Sequence, residues 1–295
     1  MTQKTRAELS LLAMTSIWGG TFPIVKIAME HVSPILLIAI RFCIASVFLL
    51  LFFRRKIFPL PAGAITKGSI LSLFLFIGFV AQNIGLTITT ASKSAFITGL
   101  MVLFVPLLQV IIERRAPRFG NVLGVLVVVL GLYLLTSPEG SALNAGDALT
   151  LVCAVLFAVY IVYLDVIAHD MTALQLLFVQ MISTAVFAVA TTAAFEETYF
   201  VLNAHSVGSL LYLTFLATLL TTYVQTRYQK DTTPTRAVVI FSIEPVIASF
   251  LSYLILGEIL GPLGILGGAL IIAGVLLSEL SEGIPLLNRS LGGTS

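Results

Sequence analysis

Ten runs of apolar residues follow one another along the chain, approximately 9–28, 34–53, 68–89, 94–112, 119–135, 148–164, 173–195, 207–226, 237–257 and 262–280. Each is bounded by charged residues, Pro or Gly, and the links between them are short. The runs have the length of a bilayer's hydrocarbon core, about 20 residues of helix, and lack the period-2 alternation of a barrel strand. An unpaired peptide group in hydrocarbon costs several kcal/mol, so segments of this kind form helices. The pattern predicts an all-α integral membrane fold, a compact bundle of ten transmembrane helices.

Composition agrees with the pattern. Of 295 residues, 58% are apolar and only 10% charged, against about 25% charged in a soluble domain. The mean hydropathy of +1.08 leaves more apolar surface than one soluble core buries. A net charge of +2 from sparse, balanced residues excludes a nucleic-acid footprint. Cys43 and Cys153 sit inside apolar runs, and His31, His169 and His205 are far apart, so neither a disulfide framework nor a metal pattern is expected. The first run follows Lys4 and Arg6. It exceeds a signal-peptide core and lacks a small-residue cleavage motif, so it is expected to be a retained span.

Charge also orients the bundle. With a cytoplasmic N-terminus, inner segments hold Lys4, Arg6, Arg54, Arg55, Lys56, Lys67, Arg114, Arg115, Arg118, Arg227, Lys230, Arg236 and Arg289, while only Lys26 and Lys93 lie at outer ends. The positive-inside rule then puts both termini in the cytoplasm. The outer loops carry Glu30, Glu139, Asp147, Glu196, Glu197 and Glu258 instead.

The chain repeats itself. Shifted by 143 residues, the third to fifth runs overlay the eighth to tenth: Gln82 on Gln225, Thr89 and Thr90 on Thr232 and Thr233, Lys93 on Arg236, Ile97 on Ile240, Gly124 on Gly267, Gly131 on Gly274. A shift of 139 overlays the first two on the sixth and seventh, with Leu12 on Leu151, Leu37 on Leu176, and Val47 and Phe48 on Val186 and Phe187. Five helices per half is odd, so the second half enters the membrane inverted, an arrangement that gives a transporter inward- and outward-open states of similar energy. The expected division is a first repeat at 7–136, an inverted second repeat at 146–280 and a cytoplasmic tail at 281–295.

Several motifs then carry a resemblance: Trp18, Gly19, Gly20, Thr21 and Phe22 in the first run, Arg41 and Phe42 in the second, Glu244, Pro245 and Val246 in the ninth, Gly257 with Glu258, and the glycine-spaced last run from Gly267 to Gly274. Together they resemble the drug/metabolite transporter superfamily of the EamA type over essentially the whole chain. The resemblance implies ten-span exporters of small metabolites such as amino acids, with a central cavity walled by the helices other than the last of each half. One departure stands out: Met101 and Val102 occupy the positions of Glu244 and Pro245 in the first half, so any role of Glu244 is asymmetric.

Arg41 lies about 10 Å below the outer end of its run at ~1.5 Å per residue, where a cation costs about 2.5–3.5 kcal/mol unless it meets water or a partner. Two readings stand, a cavity charge that binds a carboxylate or helps coupling, and a structural ion pair or snorkelling side chain. Glu244 lies near the midplane, where it suits proton coupling or ammonium recognition; the other reading is a carboxylate fixed to Arg41 or to a backbone amide. Pro245 and Pro23 each remove a helical donor and predict kinks that free the carbonyls of Phe241 and Gly19, and Pro106 predicts an ordinary kink. A polar set completes the candidate lining: Thr21, Gln82, Asn83, Thr98, Gln180 (the repeat mate of Arg41), Thr221, Thr222, Gln225 and Ser242. Trp18, Phe22, Tyr160 and Tyr163 offer aromatic surface, with helix packing and interhelical hydrogen bonding as the competing uses. Lys93 and Arg236, like Lys26 and Asp165, are repeat-equivalent charges at opposite faces, either gates or interfacial anchors. A mixed-charge loop accounts for Asp165, His169 and Asp170, and the sequon at Asn288 falls on the cytoplasmic tail. The spaced glycines of the fifth and tenth runs suit close helix packing or a homodimer contact.

These features predict a secondary transporter that exports an amino acid or related small metabolite across the cytoplasmic membrane by alternating access. No Walker-type loop is present, so ATP is not its direct energy source, and no cofactor is expected. The alternative within transport is an exporter of lipophilic or cationic drugs that relies on Glu244 and the aromatics. An intramembrane enzyme or receptor is more remote, since zinc-protease spacing and a nucleophile elbow are absent.

Overall fold

The computed structural model describes residues 2–114, 118–135, 144–257, 259 and 261–280; the tail with Asn288, and Arg115, Glu139, Glu258 and Arg289, lie outside them. The described residues are helical apart from short connections and one isolated antiparallel bridge, Val32 to Phe200. The helices are α1 (Gln3–Gly19), α2 (Thr21–Met29), α3 (Pro34–Ile57), α4 (Ala64–Ile88), α5 (Ala91–Gly99), α6 (Met101–Glu113), α7 (Phe119–Leu135), α8 (Ala145–Ile167) and α9 (Ala173–Phe195). They continue with α10 (Ala204–Leu211), a π-helical segment (Tyr212–Leu220), α11 (Thr221–Tyr228), α12 (Pro234–Phe241), α13 (Glu244–Leu256) and α14 (Pro262–Leu280). Taken with their continuations, eight helical stretches are long and apolar enough to cross a membrane, and α7 and α14 supply two shorter apolar helices.

Hydrogen bonds gather the helix ends into two sets. At one end Gln3 meets Asp231, Gln175 donates to the carbonyls of Ile57 and Pro59, Lys67 pairs with Asp170, and Thr235 donates to Gln109. At the other, Lys26 donates to the carbonyl of Thr89, Thr89 to Asp147, and Tyr199 to the carbonyl of Met29. Neighbouring helices therefore run up and down through one bundle, in which α3 packs on α9, α4 on α8 and α9, α1 on α11 and α13, α5 on α13, and α7 on α14.

Polarity is distributed inside out relative to a soluble protein. Arg41, Gln82, Asn83, Thr98, Gln180 and Gln225 are buried, while Leu51, Phe52, Ile111, Leu126, Leu254 and Ile265 are exposed. Such a surface is stable only against hydrocarbon, and each of these buried polar side chains makes a hydrogen bond within the bundle.

The α7–α14 seam explains the spaced glycines. A methyl group at Gly131 would lie 2.7 Å from both the carbonyl oxygen of Gly267 and the amide nitrogen of Ile271, and one at Gly124 would lie 2.8 Å from the carbonyl of Gly274. The missing side chains let the two backbones touch, and Ser278 closes the seam with a hydrogen bond to Asn121. Both glycine stripes are thus engaged within the chain.

Candidate functional site

Three spans are broken near the middle of the bundle. Gln3–Met29 breaks at Gly20 between α1 and α2, Ala91–Ile112 at Leu100 between α5 and α6, and Pro234–Leu256 at Ser242 and Ile243 between α12 and α13. Ala204–Asp231 carries the π-helical segment, whose wider turn is frequent at functional positions. Carbonyls loosened at Gly20 find new donors: Tyr212 donates to Ile17 at 2.7 Å and Thr21 to Trp18 at 2.7 Å. Pro23 lies in the first turn of α2 and Pro245 at the second position of α13, where a missing N–H leaves nothing unsatisfied. The fourth span breaks at Leu100, six residues before Pro106, which stays inside α6. The breaks at Leu100 and at Ser242 and Ile243 thus sit at matching places in the two halves although only the latter has a proline beside it, while the break at Gly20 has no counterpart in the continuous α8.

Between these segments lies a cavity with about 700 Å³ of unfilled space, the open margin at its mouth included. Its walls include Trp18, Thr21, Arg41, Gln82, Thr98, Tyr160, Thr222, Gln225 and Glu244, all singled out in the sequence. They also include Val25, Leu75, Phe79, Phe157, Ile161 and Ala217, which were not, and Met101, marked in the sequence only as the residue at the position of Glu244.

Arg41 is 2% exposed. Its Nη2 donates to Thr218 Oγ1 at 2.8 Å, and its guanidinium carbon lies 5.4 Å from the ring centre of Phe79 and 5.9 Å from that of Phe42. Both distances suit cation–π attraction. Its Nε has no hydrogen-bond partner, and among the described residues no carboxylate pairs with it. Glu244, also on the cavity wall, is the first residue of α13. It makes no ion pair with Arg41. The cavity therefore holds a cation and a carboxylic group that are not spent on each other.

The other polar walls are tied to their surroundings. Gln82 donates to Thr98 at 3.2 Å, and Gln225 to Gln229 at 3.0 Å, which in turn donates to the carbonyl of Ile161. Tyr160 donates to Gln180 at 2.7 Å, and Gln180 donates to Thr226. Trp18 donates to Thr221 and meets Phe241 edge-on. Six candidate residues lie off the cavity wall, among them Tyr163 and Thr221, which accepts from Trp18. Gln180 stands one layer behind the wall, holding Tyr160; Asn83 donates to the carbonyl of Pro34; Ser242 donates to Val238 of its own helix; and Phe22 packs in the apolar cluster under α2 and α10.

Lys93 and Arg236 stand at opposite ends of the bundle. Lys93 pairs with Asp147 at 2.6 Å, and Arg236 with Glu8 at 2.5 Å, Glu8 also lying 3.9 Å from Lys4. Cys43 and Cys153 are free thiols. Among the described residues no group of three or more His, Cys, Asp or Glu is assembled for a metal.

A bundle of apolar-surfaced helices around a polar, charged cavity defines a multi-pass membrane transporter. The chain belongs to the EamA-like transporter family, whose pattern matches residues 5–137 and again 144–280. An uncharacterized transporter of Archaeoglobus fulgidus is 34% identical over 278 residues, 93% of this chain and 86% of that one. An S-adenosylmethionine/S-adenosylhomocysteine transporter of Chlamydia muridarum is 37% identical over 89 residues, 28% of this chain and 27% of that one. A crystal structure with 18% sequence identity superposes with a TM-score of 0.77, covering 94% of this chain and 97% of the other, and shares the fold.

Proposed function

We propose that this protein is a secondary transporter that exports a small metabolite bearing a carboxylate and an amine, an amino acid or a close relative, across the cytoplasmic membrane by alternating access. The observation that carries this reading is Arg41, buried on the cavity wall without a carboxylate partner among the described residues, with Glu244 on the same wall. A zwitterion offers each the opposite charge, and its side chain would meet Trp18, Phe79, Phe157 and Tyr160. The Chlamydia relative is named for compounds that carry an amino-acid moiety, which agrees with this class.

The chain crosses the bilayer ten times, α7 and α14 included, since their 17 and 19 residues reach the lower range of spanning lengths. Its halves, 7–136 and 146–280, are inverted repeats. The doubled family match supports this, as does the cavity wall, where repeat mates face each other: Trp18 with Phe157, Thr21 with Tyr160, Phe79 with Thr222, Gln82 with Gln225, and Met101 with Glu244. Both termini face the cytoplasm and carry the basic ends of the helices, and homodimerisation is compatible with the exposed apolar surface.

The test is flux of labelled amino acids from proteoliposomes, with and without a pH gradient, for the intact protein, Arg41→Gln and Glu244→Gln. Saturable flux reduced at least about tenfold by Arg41→Gln is expected, the scale of a lost charged hydrogen bond. Gradient dependence lost only in Glu244→Gln would assign coupling to that residue. The aromatic walls beside Glu244 favour a second reading, export of lipophilic cations. In that case Arg41→Gln spares transport and Glu244→Gln abolishes it.

A further inference from the structure

The two ion pairs at the ends of the cavity are one construction made twice. Lys93 and Arg236 are mates at the 143-residue shift, and their partners Glu8 and Asp147 are mates at the 139-residue shift. The likeness extends to the backbone. Lys93 N–H donates to Thr90 Oγ1 and Arg236 N–H to Thr233 Oγ1, at 3.2 and 3.3 Å, and these threonines, also mates, are the N-caps of α5 and α12. Each pair joins the two halves of the chain: α5 of the first to α8 of the second, α12 of the second to α1 of the first. The charged ends are at most 15% exposed, so neither pair is a freely solvated contact of little worth.

Each basic residue also rides on a short lever. α5 has 9 residues and α12 has 8, and each ends at a break, Leu100 or Ser242 and Ile243, beside the cavity. Thr98 lies just before one break, and Met101 and Glu244 just after the two breaks, all three on the cavity wall. A pivot of α5 about its break would move Thr98 at the wall and pull Lys93 from Asp147, and a pivot of α12 about the break beside Glu244 would pull Arg236 from Glu8.

We infer that Lys93–Asp147 and Glu8–Arg236 are the two gate latches of the transport cycle, one at each end of the cavity, and that each opens by a pivot of α5 or α12 about the break next to the substrate. This rests on the alternating-access reading above. Both latches are closed in this conformation. Each opens by the loss of one cation–carboxylate pair, although Asp147 also accepts from Thr89 and Glu8 also lies near Lys4, so a ligand that favours one access state can bias which end opens.

The test reads access from each face. Met101→Cys, in a background with Cys43→Ala and Cys153→Ala, is labelled with a membrane-impermeant maleimide in right-side-out and inside-out vesicles. Asp147→Asn should raise the ratio of outer-face to inner-face labelling rates about tenfold, and Glu8→Gln should lower it by a similar factor. Exchanging the charges, Lys93→Asp with Asp147→Lys or Glu8→Arg with Arg236→Glu, should bring the ratio back toward that of the parent, a recovery that a variant defective only in folding would not give. If the parent is labelled from both faces and neither neutralisation moves the ratio, or both move it the same way, the latches are overturned and alternating access stands. If the parent is labelled from one face only, alternating access itself fails and the latches fall with it.

Discussion

Arg41 shows what a single buried cation asks of its surroundings. Its hydrogen bond to a side chain goes to Thr218, on the π-helical segment, the rings of Phe42 and Phe79 lie within cation–π range, and its Nε has no hydrogen-bond partner. Thr218→Val keeps the shape and removes the acceptor, which in a dry site costs about 1–3 kcal/mol. The expected result is an apparent KM for a carboxylate-bearing substrate raised about 5- to 150-fold, with Thr218→Ser close to the parent; transport kinetics in proteoliposomes would decide. Polar residues in apolar runs were legible as candidate lining, and most of them meet at the cavity. The sequence could not say which way each one faces. Gln82 and Asn83 are adjacent and equally polar, yet about 100° apart around α4, so one lines the cavity while the other holds the start of α3. Phe79, Phe157 and Leu75 line it without having drawn notice, because an apolar residue in an apolar span carries no mark of its face.

At the scale of helices, the seam between α7 and α14 is set by backbone contact. Gly131→Ala puts a methyl 2.7 Å from backbone atoms of α14, and overpacking of this kind costs about 1–3 kcal/mol. Gly208 lies in α10 with no atom within 4 Å of the position a methyl would take, and alanine there gains about 1 kcal/mol of helix propensity. Thermal unfolding of the detergent-solubilised protein should therefore fall for Gly131→Ala and hold or rise for Gly208→Ala. The glycine spacing announced this seam. The helix breaks were announced only in part: proline pointed to the ninth span but not to Leu100, and nothing in Tyr212–Leu220 marks a π-helix, because its local sequence suits an α-helix equally well.

For the whole molecule, the basic residues and the hydrogen-bonded helix ends divide the same way. Lys4, Arg6, Arg54, Arg55, Lys56, Lys67, Arg227 and Lys230 gather at the end where α1 starts, and Glu196 and Glu197 at the other. In a background without Cys43 and Cys153, cysteine at exposed Thr198 should react with an impermeant maleimide on intact cells. Cysteine at exposed Ala62 should react only after permeabilisation. Reaction of Ala62→Cys alone on intact cells would reverse the orientation.

At that second end, Glu196 accepts the backbone N–H groups of Ile35 and Leu36, at 2.7 and 2.8 Å, while Ser33 offers α3 no side-chain cap. The start of the second span is thus completed by a carboxylate that the ribosome adds 161 residues after Ile35. During synthesis the start of α3 therefore has no carboxylate cap until α9 and the residue that follows it have been made.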